Sequence, residues 1–468
     1  MNRENRLIKN TIIYMIGSVS SKVMAFLMMP LLTRYLSKYH IGFFDLILNT
    51  MSIVIPLITL CTINSIFRFV IEESEEEKKN HVISNGIFIM ILGVIISLIP
   101  FLIISKILSV QYNSIMIILL VISTIAYNTW QQITRAFQKN VVFAISGVVF
   151  TISLFVVSFI LIIFFHLKIE ALIVAYTVAP LISFFYIELK SKIIYRINFA
   201  CINYTSIKDM IKYSLPLIPS NINWWLMQGA DRYIITIFLG VEANGLFSVA
   251  SKFPAVLAMV NNIFDIAWTE SAIMEFKSKD RDDYYSNIFN IFMRIQFSLF
   301  FVCLPIFKYL LWLMVGNDFK IAWIYIPALM IGLIFSSFAD FYGTGYLSSK
   351  NTMGAFTTTT ICGVLNIVLD LILIKFIGLH AAAIASAFSF LFLWIIRAKS
   401  LKNYFNVKFN VMELCIYLLI AGIYIIVYYF NKIYIDIIFF TIAIIISYNL
   451  NKKIIKQIFQ IAFKYLQS

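Results

Sequence analysis

The sequence predicts an all-α polytopic membrane protein: about fourteen transmembrane helices, in two repeated six-helix lobes plus two C-terminal helices. Three observations lead there. Of the 468 residues, 61% are hydrophobic and only 13% charged, whereas soluble domains are about half apolar and about a quarter charged. Fourteen segments reach the ~20 apolar residues that a helix needs to cross a bilayer. The first twelve of them read as six spans written twice.

The repeat is visible in short blocks. Leu36-Ser37-Lys38-Tyr39-His40-Ile41-Gly42-Phe43-Phe44, between spans one and two, returns 203 residues later as Leu239-Gly240-Val241-Glu242-Ala243-Asn244-Gly245-Leu246-Phe247. Lys139-Asn140 before span five returns as Lys350-Asn351 before span eleven. Pro100 in span three returns as Pro305 in span nine. A duplicated helical bundle in a membrane implies two lobes around a midline cavity, the geometry of a transporter.

The spans begin near Ile12, Gly42, Val82, Ser114, Val141, Ala171, Ser214, Glu242, Ile288, Ile321, Met353, Ala381, Val411 and Tyr434. Residues 1–189 form the first lobe. The stretch 190–213, with Lys190, Lys192, Arg196, Lys208 and Lys212, is a basic cytoplasmic connection. Residues 214–399 form the second lobe. Residues 400–468 add two spans and a basic tail. Those two spans are almost uniformly apolar and read as lipid-facing accessories. The tail from Lys452 alternates Lys with Ile and Phe and is expected to lie on the inner membrane face as an amphipathic helix. The acidic run from Glu72 to Glu77 reads as a solvated turn. The alternating ten-residue strands of an outer-membrane barrel do not occur.

The net charge of +14 does not indicate nucleic acid, because of where it lies. With an even number of spans and both ends inside, 24 Lys and Arg fall on the inner side and eight outside, Lys308 among the eight. That is the positive-inside pattern, with the basic loops against anionic lipid. Met1 to Arg6 run straight into a full-length span with no small-residue cleavage site, so the first helix is expected to be retained. The five cysteines show no C-x-x-C spacing and read as apolar fillers.

Polar residues within spans are costly against lipid and should face protein or a wet cavity. Residues at i, i+3, i+4 and i+7 share a helix face. Span two carries Asp45, Asn49, Ser52, Pro56, Thr59, Asn64 and Arg68. Span eight carries Asn244, Ser248, Ser251, Lys252, Asn262, Asp265 and Thr269. Span one carries Tyr14, Ser18, Ser21, Lys22 and Ala25; span seven carries Asn221, Trp224, Trp225, Gln228, Asp231 and Arg232. These are corresponding pairs of the two repeats, so the stripes are expected to line one shared chamber. Spans four and ten carry shorter stripes: Asn128, Gln131 and Arg135, then Asp340, Thr344 and Ser348.

Lys22 lies about ten residues into its span, roughly 15 Å at 1.5 Å per residue, and Lys252 equally deep. Two readings stand for each: a carboxylate-paired lysine locking helices, or a cation facing an anionic substrate. Snorkelling at helix ends explains Arg68 and Arg294, with a cavity role as the other reading of Arg68. Asp231 and Arg232 are sequence neighbours pointing about 100° apart on a helix, so they need not neutralise each other. Trp224 and Trp225 fit an interfacial belt, ordinary packing or stacking on sugar rings. Pro216 and Pro219 should bend span seven, and Pro30, Pro56 and Pro254 should break cavity helices where lobes rock.

No G-x-x-x-x-G-K-[ST] loop and no H-E-x-x-H occur. The external loops are short and nearly free of carboxylates. An enzyme is not expected, nor a cofactor, although a coupling Na+ or H+ stays open.

The residues Lys9-Asn10, Gly17, Pro30-Leu31-Leu32-Thr33-Arg34-Tyr35-Leu36-Ser37 and Ile41-Gly42-Phe43-Phe44-Asp45-Leu46 resemble the opening of Wzx-type oligosaccharide flippases. So do Ser214-Leu215-Pro216-Leu217-Ile218-Pro219, Asp231-Arg232-Tyr233, Gly240 and Asn244-Gly245-Leu246-Phe247-Ser248-Val249-Ala250 in the second half. That family belongs to the multidrug, oligosaccharidyl-lipid and polysaccharide exporter superfamily. The resemblance implies V-shaped alternating-access lobes in the bacterial inner membrane. It implies as substrate a polyprenyl-diphosphate-linked oligosaccharide repeat unit, moved outward for O-antigen (lipopolysaccharide), capsule or exopolysaccharide assembly. A polymerase and glycosyltransferases would be its neighbours in that pathway.

The family's cavity cations carry over to Lys22, Arg68, Arg232 and Lys252. Asp45, Asn49, Trp224, Trp225, Gln228, Asp231, Asn262 and Asp340 would supply polar and aromatic contacts. Three alternatives remain. A drug/cation antiporter would use isolated carboxylates, for which Asp45, Asp340 and Asp370 are candidates. A lipid II flippase would carry more arginines in span one, where only Lys22 stands. A scaffold or polymerase subunit of a polysaccharide assembly complex is the non-transporter alternative.

The charge distribution yields a test. Single cysteines at Glu75, Asn203 and Asp280 should escape an impermeant thiol reagent added to intact cells, and labelling at any of them would overturn the topology.

Overall fold

The computed structural model describes residues 26–107, 114–349 and 351–466. Every regular element among them is helical. Lipid offers no partner to a backbone amide, and a helix satisfies its own. Twelve helices are long and apolar enough to cross a membrane. They correspond to spans two to six and eight to fourteen. Of the other two spans, span one lies mostly outside the described residues and span seven is broken. Two compact units result, Met1–Trp225 and Leu226–Ser468.

In the first unit, α1 (Met29–Tyr35) leads to α2 (Lys38–Ile58). Ser37 caps α2: its Oγ accepts from the His40 backbone N–H, and the His40 ring reaches back to the Ser37 N–H. Pro56 withholds a donor from the last turn of α2. Leu60 and Cys61 then adopt φ +48° and +55°, and the chain restarts as α3 (Thr62–Glu72). Helices α4 (Glu76–Ile107), α5 (Ser114–Ala136), α6 (Asn140–Ile163) and α7 (Ile169–Ser191) complete the bundle. Its core is aliphatic, built on Ile66, Val70, Ile83, Met90, Ile133 and Ile187. Gly93 of α4 is required for close approach, because a Cβ there would lie 2.0 Å from the Ile58 carbonyl oxygen.

The basic connection after α7 is strapped to the start of α4. Arg196 Nη1 donates to Glu76 Oε2 at 2.5 Å and to Asn80 Oδ1 at 3.3 Å. The Asn198 and Asn203 amides donate to Ser84 Oγ and Asn85 Oδ1. The acidic run is therefore more than the solvated turn expected from sequence, since Glu76 anchors the connection. Helices α8 (Tyr204–Ser214) and α9 (Leu217–Gln228) follow, parted at Pro216.

The second unit contains α10 (Ala230–Leu239), α11 (Val241–Met274), α12 (Arg281–Met314), a 3-10 segment Asn317–Tyr325, α13 (Ile326–Ser348), α14 (Thr352–Ile377), α15 (His380–Ser400), α16 (Val411–Tyr429) and α17 (Ile433–Leu466). Its core is aromatic: Trp268 stacks on Phe341 at 4.1 Å between centroids, Phe264 on Phe292 at 4.0 Å, and Phe289 meets Phe338, Phe341 and Trp394. The repeated blocks fall at matching junctions. Ser37 caps the helix after α1, Gly240 (φ +88°) turns α10 into α11, Lys139 stands at the start of α6, and Asn351 caps α14 by accepting from the Gly354 N–H.

Four expectations need correction. Pro254 does not break its helix; α11 runs through it. The last helix does not end before the tail, since α17 continues to Leu466. The C-terminal pair, α16 and α17, keeps most of its apolar surface exposed, as lipid-facing spans would, and is pinned to α12 by a few polar contacts. Lys308 of α12, counted above as an external-loop lysine, is fully buried and donates to Asp436 Oδ2 of α17 at 2.7 Å and to the Tyr428 carbonyl at 3.0 Å. Trp323 and Tyr428 rings lie 4.8 Å from its ammonium, and Tyr309 OH also donates to Asp436. Arg294, read above as snorkelling, forms a two-pronged pair with Glu413 of α16. Asn451 donates to Ser298, and Tyr424 OH to the Phe301 carbonyl. Apolar composition concealed these few polar bolts.

Removing one partner of a buried ion pair strands the other charge, at about 3 kcal/mol or more. Asp436→Leu should therefore lower the unfolding midpoint of the purified protein sharply, and Lys308→Met added to Asp436→Leu should recover most of the loss. Equal midpoints for the single and double variants would refute the pairing as the lock.

Candidate functional site

Span seven is broken because Gly229 interrupts it between α9 and α10. The break places Asp231 and Arg232 in the first turn of a new helix, pointing apart. Asp231 is buried and turned into the second unit. Its Oδ1 accepts from Asn366 Nδ2 of α14 at 2.7 Å and its Oδ2 from Ser386 Oγ of α15 at 2.8 Å. One turn along α14 from Asn366, Asp370 is completely buried within electrostatic reach of Asp231. Neither Asp370 oxygen, nor Asn366 Oδ1, has a hydrogen-bond partner among the described residues. Two carboxylates and an amide oxygen thus converge in an apolar interior with too few donors. Such a set suits a proton or a small hard cation, which oxygen ligands prefer. Groups of three or more His, Cys, Asp and Glu suited to a metal do not occur among the described residues.

Arg232 turns the other way. Its Nη2 donates to Ser251 Oγ of α11 at 3.2 Å, and its guanidinium lies 4.6 Å over the Phe247 ring. The residue after Ser251 is Lys252, eleven positions past Val241 and so about 16 Å along α11. Lys252 is exposed and makes no ion pair or hydrogen bond among the described residues. Two cations therefore stand at about one level of α11.

Further along α11, Asn262 is exposed and Asp265 is half-buried within electrostatic reach of Asp340 of α13. Asp340 lies 3.5 Å from Arg397 Nη1 of α15, whose guanidinium also donates to the Ala339 carbonyl and to Thr359 Oγ1. Gly343 leaves room for it, because a Cβ there would lie 2.7 Å from Nη1.

In the first unit, Asp45 and Asn49 are half-buried on α2. Trp225 Nε1 donates to the Asn49 carbonyl at 3.3 Å, and Asn221 Nδ2 to Cys61 Sγ at 3.3 Å, so α9 docks on α2. Trp224 and Gln228 are exposed. Ser52 and Asn128, from the stripes of spans two and four, line a common cavity of about 470 Å³ with Thr124, Tyr127 and Tyr176. Arg68 is exposed and paired to Glu72 at 2.6 Å, 5.7 Å from the Tyr213 ring. Lys22 lies outside the described residues.

The sequence reading did not find Asn366, Ser386 or Arg397. Asn366 and Asp370 stand at i and i+4, a legible signal, but span eleven otherwise reads as apolar. Arg397 sits near a helix end, where snorkelling explains a cation without a partner.

Residues 7–268 match the family described as polysaccharide biosynthesis protein. Among curated proteins the chain is similar to the probable low-salt glycan biosynthesis flippase Agl15 of Haloferax volcanii. Identity is 26% over 223 residues, covering 45% of this chain and 46% of that protein. The chain thus spans about half the length of that relative. Among solved structures it is similar to the lipid II flippase MurJ in an inward closed conformation, with TM-score 0.69 and 18% identity over 95% of this chain and 100% of that one. An inward-facing MATE-family multidrug transporter matches with TM-score 0.63 and 12% identity over 83% and 94%. At these identities the structures speak for the fold, which is that of the MurJ and MATE transporters. With over half its length matching one family model and its helices following that fold, the chain belongs to the polysaccharide biosynthesis protein family of multi-pass membrane proteins.

Proposed function

We propose that the protein is a flippase. It moves a polyprenyl-diphosphate-linked oligosaccharide repeat unit from the inner to the outer leaflet of the bacterial cytoplasmic membrane, by alternating access, with both termini in the cytoplasm. The product feeds O-antigen, capsule or exopolysaccharide assembly, alongside the glycosyltransferases and polymerase that such assembly needs. The observation that carries this reading is the pair of cations at about one level of α11, Lys252 with no carboxylate partner among the described residues and Arg232 on Ser251. A charge placed deep in a membrane-spanning helix needs compensation, and a diphosphate supplies it through charge-assisted hydrogen bonds. Lys22, Arg68 and the polar and aromatic set of Asp45, Asn49, Trp224, Trp225, Gln228, Asn262 and Asp340 are proposed as further contacts along the substrate's path.

The buried set Asp231, Asn366, Asp370 and Ser386 supports coupling to a monovalent cation. It also suits the runner-up, a drug/cation antiporter of the same fold. The two readings part at Lys252, because a cationic drug gains nothing from an unpaired ammonium.

Lys252→Gln should lower export of the lipid-linked oligosaccharide about tenfold, one lost charge-assisted contact. Lys252→Arg should retain part of it, with protein levels unchanged and repeat units accumulating on the inner leaflet of the Gln variant. Wild-type export from Lys252→Gln would overturn the diphosphate assignment. Replacing choline by sodium should raise the unfolding midpoint of the purified protein, since a ligand at a hundred times its Kd adds about 2.7 kcal/mol. Asp370→Asn should abolish that sodium dependence, and an unchanged dependence would exclude the site.

A further inference from the structure

Helix α2 has two faces, and each borders a cavity. One is the polar cavity described above. The other is a cleft of about 510 Å³ between α2, α4 and α5, walled by Leu46, Ile47, Val54, Leu98, Ile118 and Val121 among others. Met51 belongs to both walls, so the two cavities lie back to back on a single helix.

The cleft offers a ligand nothing polar. Only two of its side chains carry hydroxyls, Thr50 and Ser97. Each hydroxyl donates to its own helix, Thr50 to the Leu46 carbonyl at 2.6 Å and Ser97 to the Val94 carbonyl at 2.7 Å. Its α2 wall runs from Phe43 to Ile58, about 22 Å at 1.5 Å per residue. It is closed near Ile58, where α4 presses Gly93 against the Ile58 carbonyl. A long apolar slot, stopped at one end and free of unsatisfied polar groups, matches a long apolar chain.

Resting on the flippase reading, we propose that this cleft binds the polyprenyl chain of the lipid-linked substrate. The first unit then contributes chain recognition. The slot's apolar lining selects chain length and leaves sugar identity unread.

The test uses the full-length protein in vesicles of phosphatidylethanolamine and phosphatidylglycerol, with two fluorescent probes. One is an undecaprenyl-diphosphate-linked disaccharide, the other its short neryl counterpart. Ile118→Trp and Leu98→Trp, which fill the slot, should slow translocation of the undecaprenyl probe about tenfold, the order expected for losing burial of part of one isoprenoid chain. They should leave the neryl probe at the wild-type rate, which also shows that the variants are folded. A photoreactive benzophenone side chain at Val121 should form adducts with the undecaprenyl probe, and unlabelled undecaprenyl-diphosphate-linked disaccharide in excess should suppress them. Equal slowing of both probes, or adducts with phospholipid alone, would overturn the cleft assignment and leave the flippase reading intact. A wild-type protein that moves neither probe would overturn both.

Discussion

A polar group carried into a membrane-spanning helix can meet its hydrogen-bonding needs only through another part of the protein. That constraint divides the polar residues of this chain into two classes. The satisfied ones build the architecture. Lys308 holds α17 through Asp436 and the Tyr428 carbonyl, Arg294 holds α16 through Glu413, and Arg397 holds α13 and α14 to α15. The unsatisfied ones have no architectural explanation. Asp370 keeps two buried oxygens without donors, and Lys252 keeps an ammonium without a counter-charge among the described residues. The functional reading rests on that second class.

Helix interruptions do comparable work. Where Pro56 leads to the left-handed pair Leu60 and Cys61, span two becomes two helices, and α9 docks on that turn through Asn221 and Cys61. Where Gly229 interrupts span seven, Asp231 and Arg232 fall in the first turn of a new helix. Asp231 at a helix N-terminal turn is also where the macrodipole favours a negative charge. A continuous helix would place Asp231 and Arg232 at the same 100° spacing. The break instead lets α10 take its own packing, with Asp231 against α14 and α15 and Arg232 against α11.

The two units solve core packing differently. The first relies on Ile, Val and Met, which tile smoothly along helix grooves. The second stacks Trp268, Phe341, Phe292 and Phe264 into a ladder, with Trp268 Nε1 on the Phe341 carbonyl. Aromatic stacks fix ring orientations that aliphatic contacts do not. The aromatic-rich unit is the one that carries Asp231, Asp370, Arg232 and Lys252.

Much of this was legible in one dimension. Span length and composition placed twelve helices because apolar length is itself the physical requirement for crossing a bilayer. The repeat blocks marked the junctions because Ser37, Gly240 and Asn351 are the residues those caps and turns demand. The i, i+3, i+4 stripe put Ser52 and Asn128 on faces that line a common cavity. Partner choice was not legible. Lys308 and Asp436 stand 128 positions apart, and Asp231 and Asn366 stand 135 apart. Nothing local in either sequence context states that they meet, and a lone cation near a helix end reads as snorkelling until its carboxylate is seen. Periodicity tells which face of a helix is polar. Only tertiary packing decides which second helix comes close enough to satisfy it, because that depends on where every other helix in the bundle has been placed.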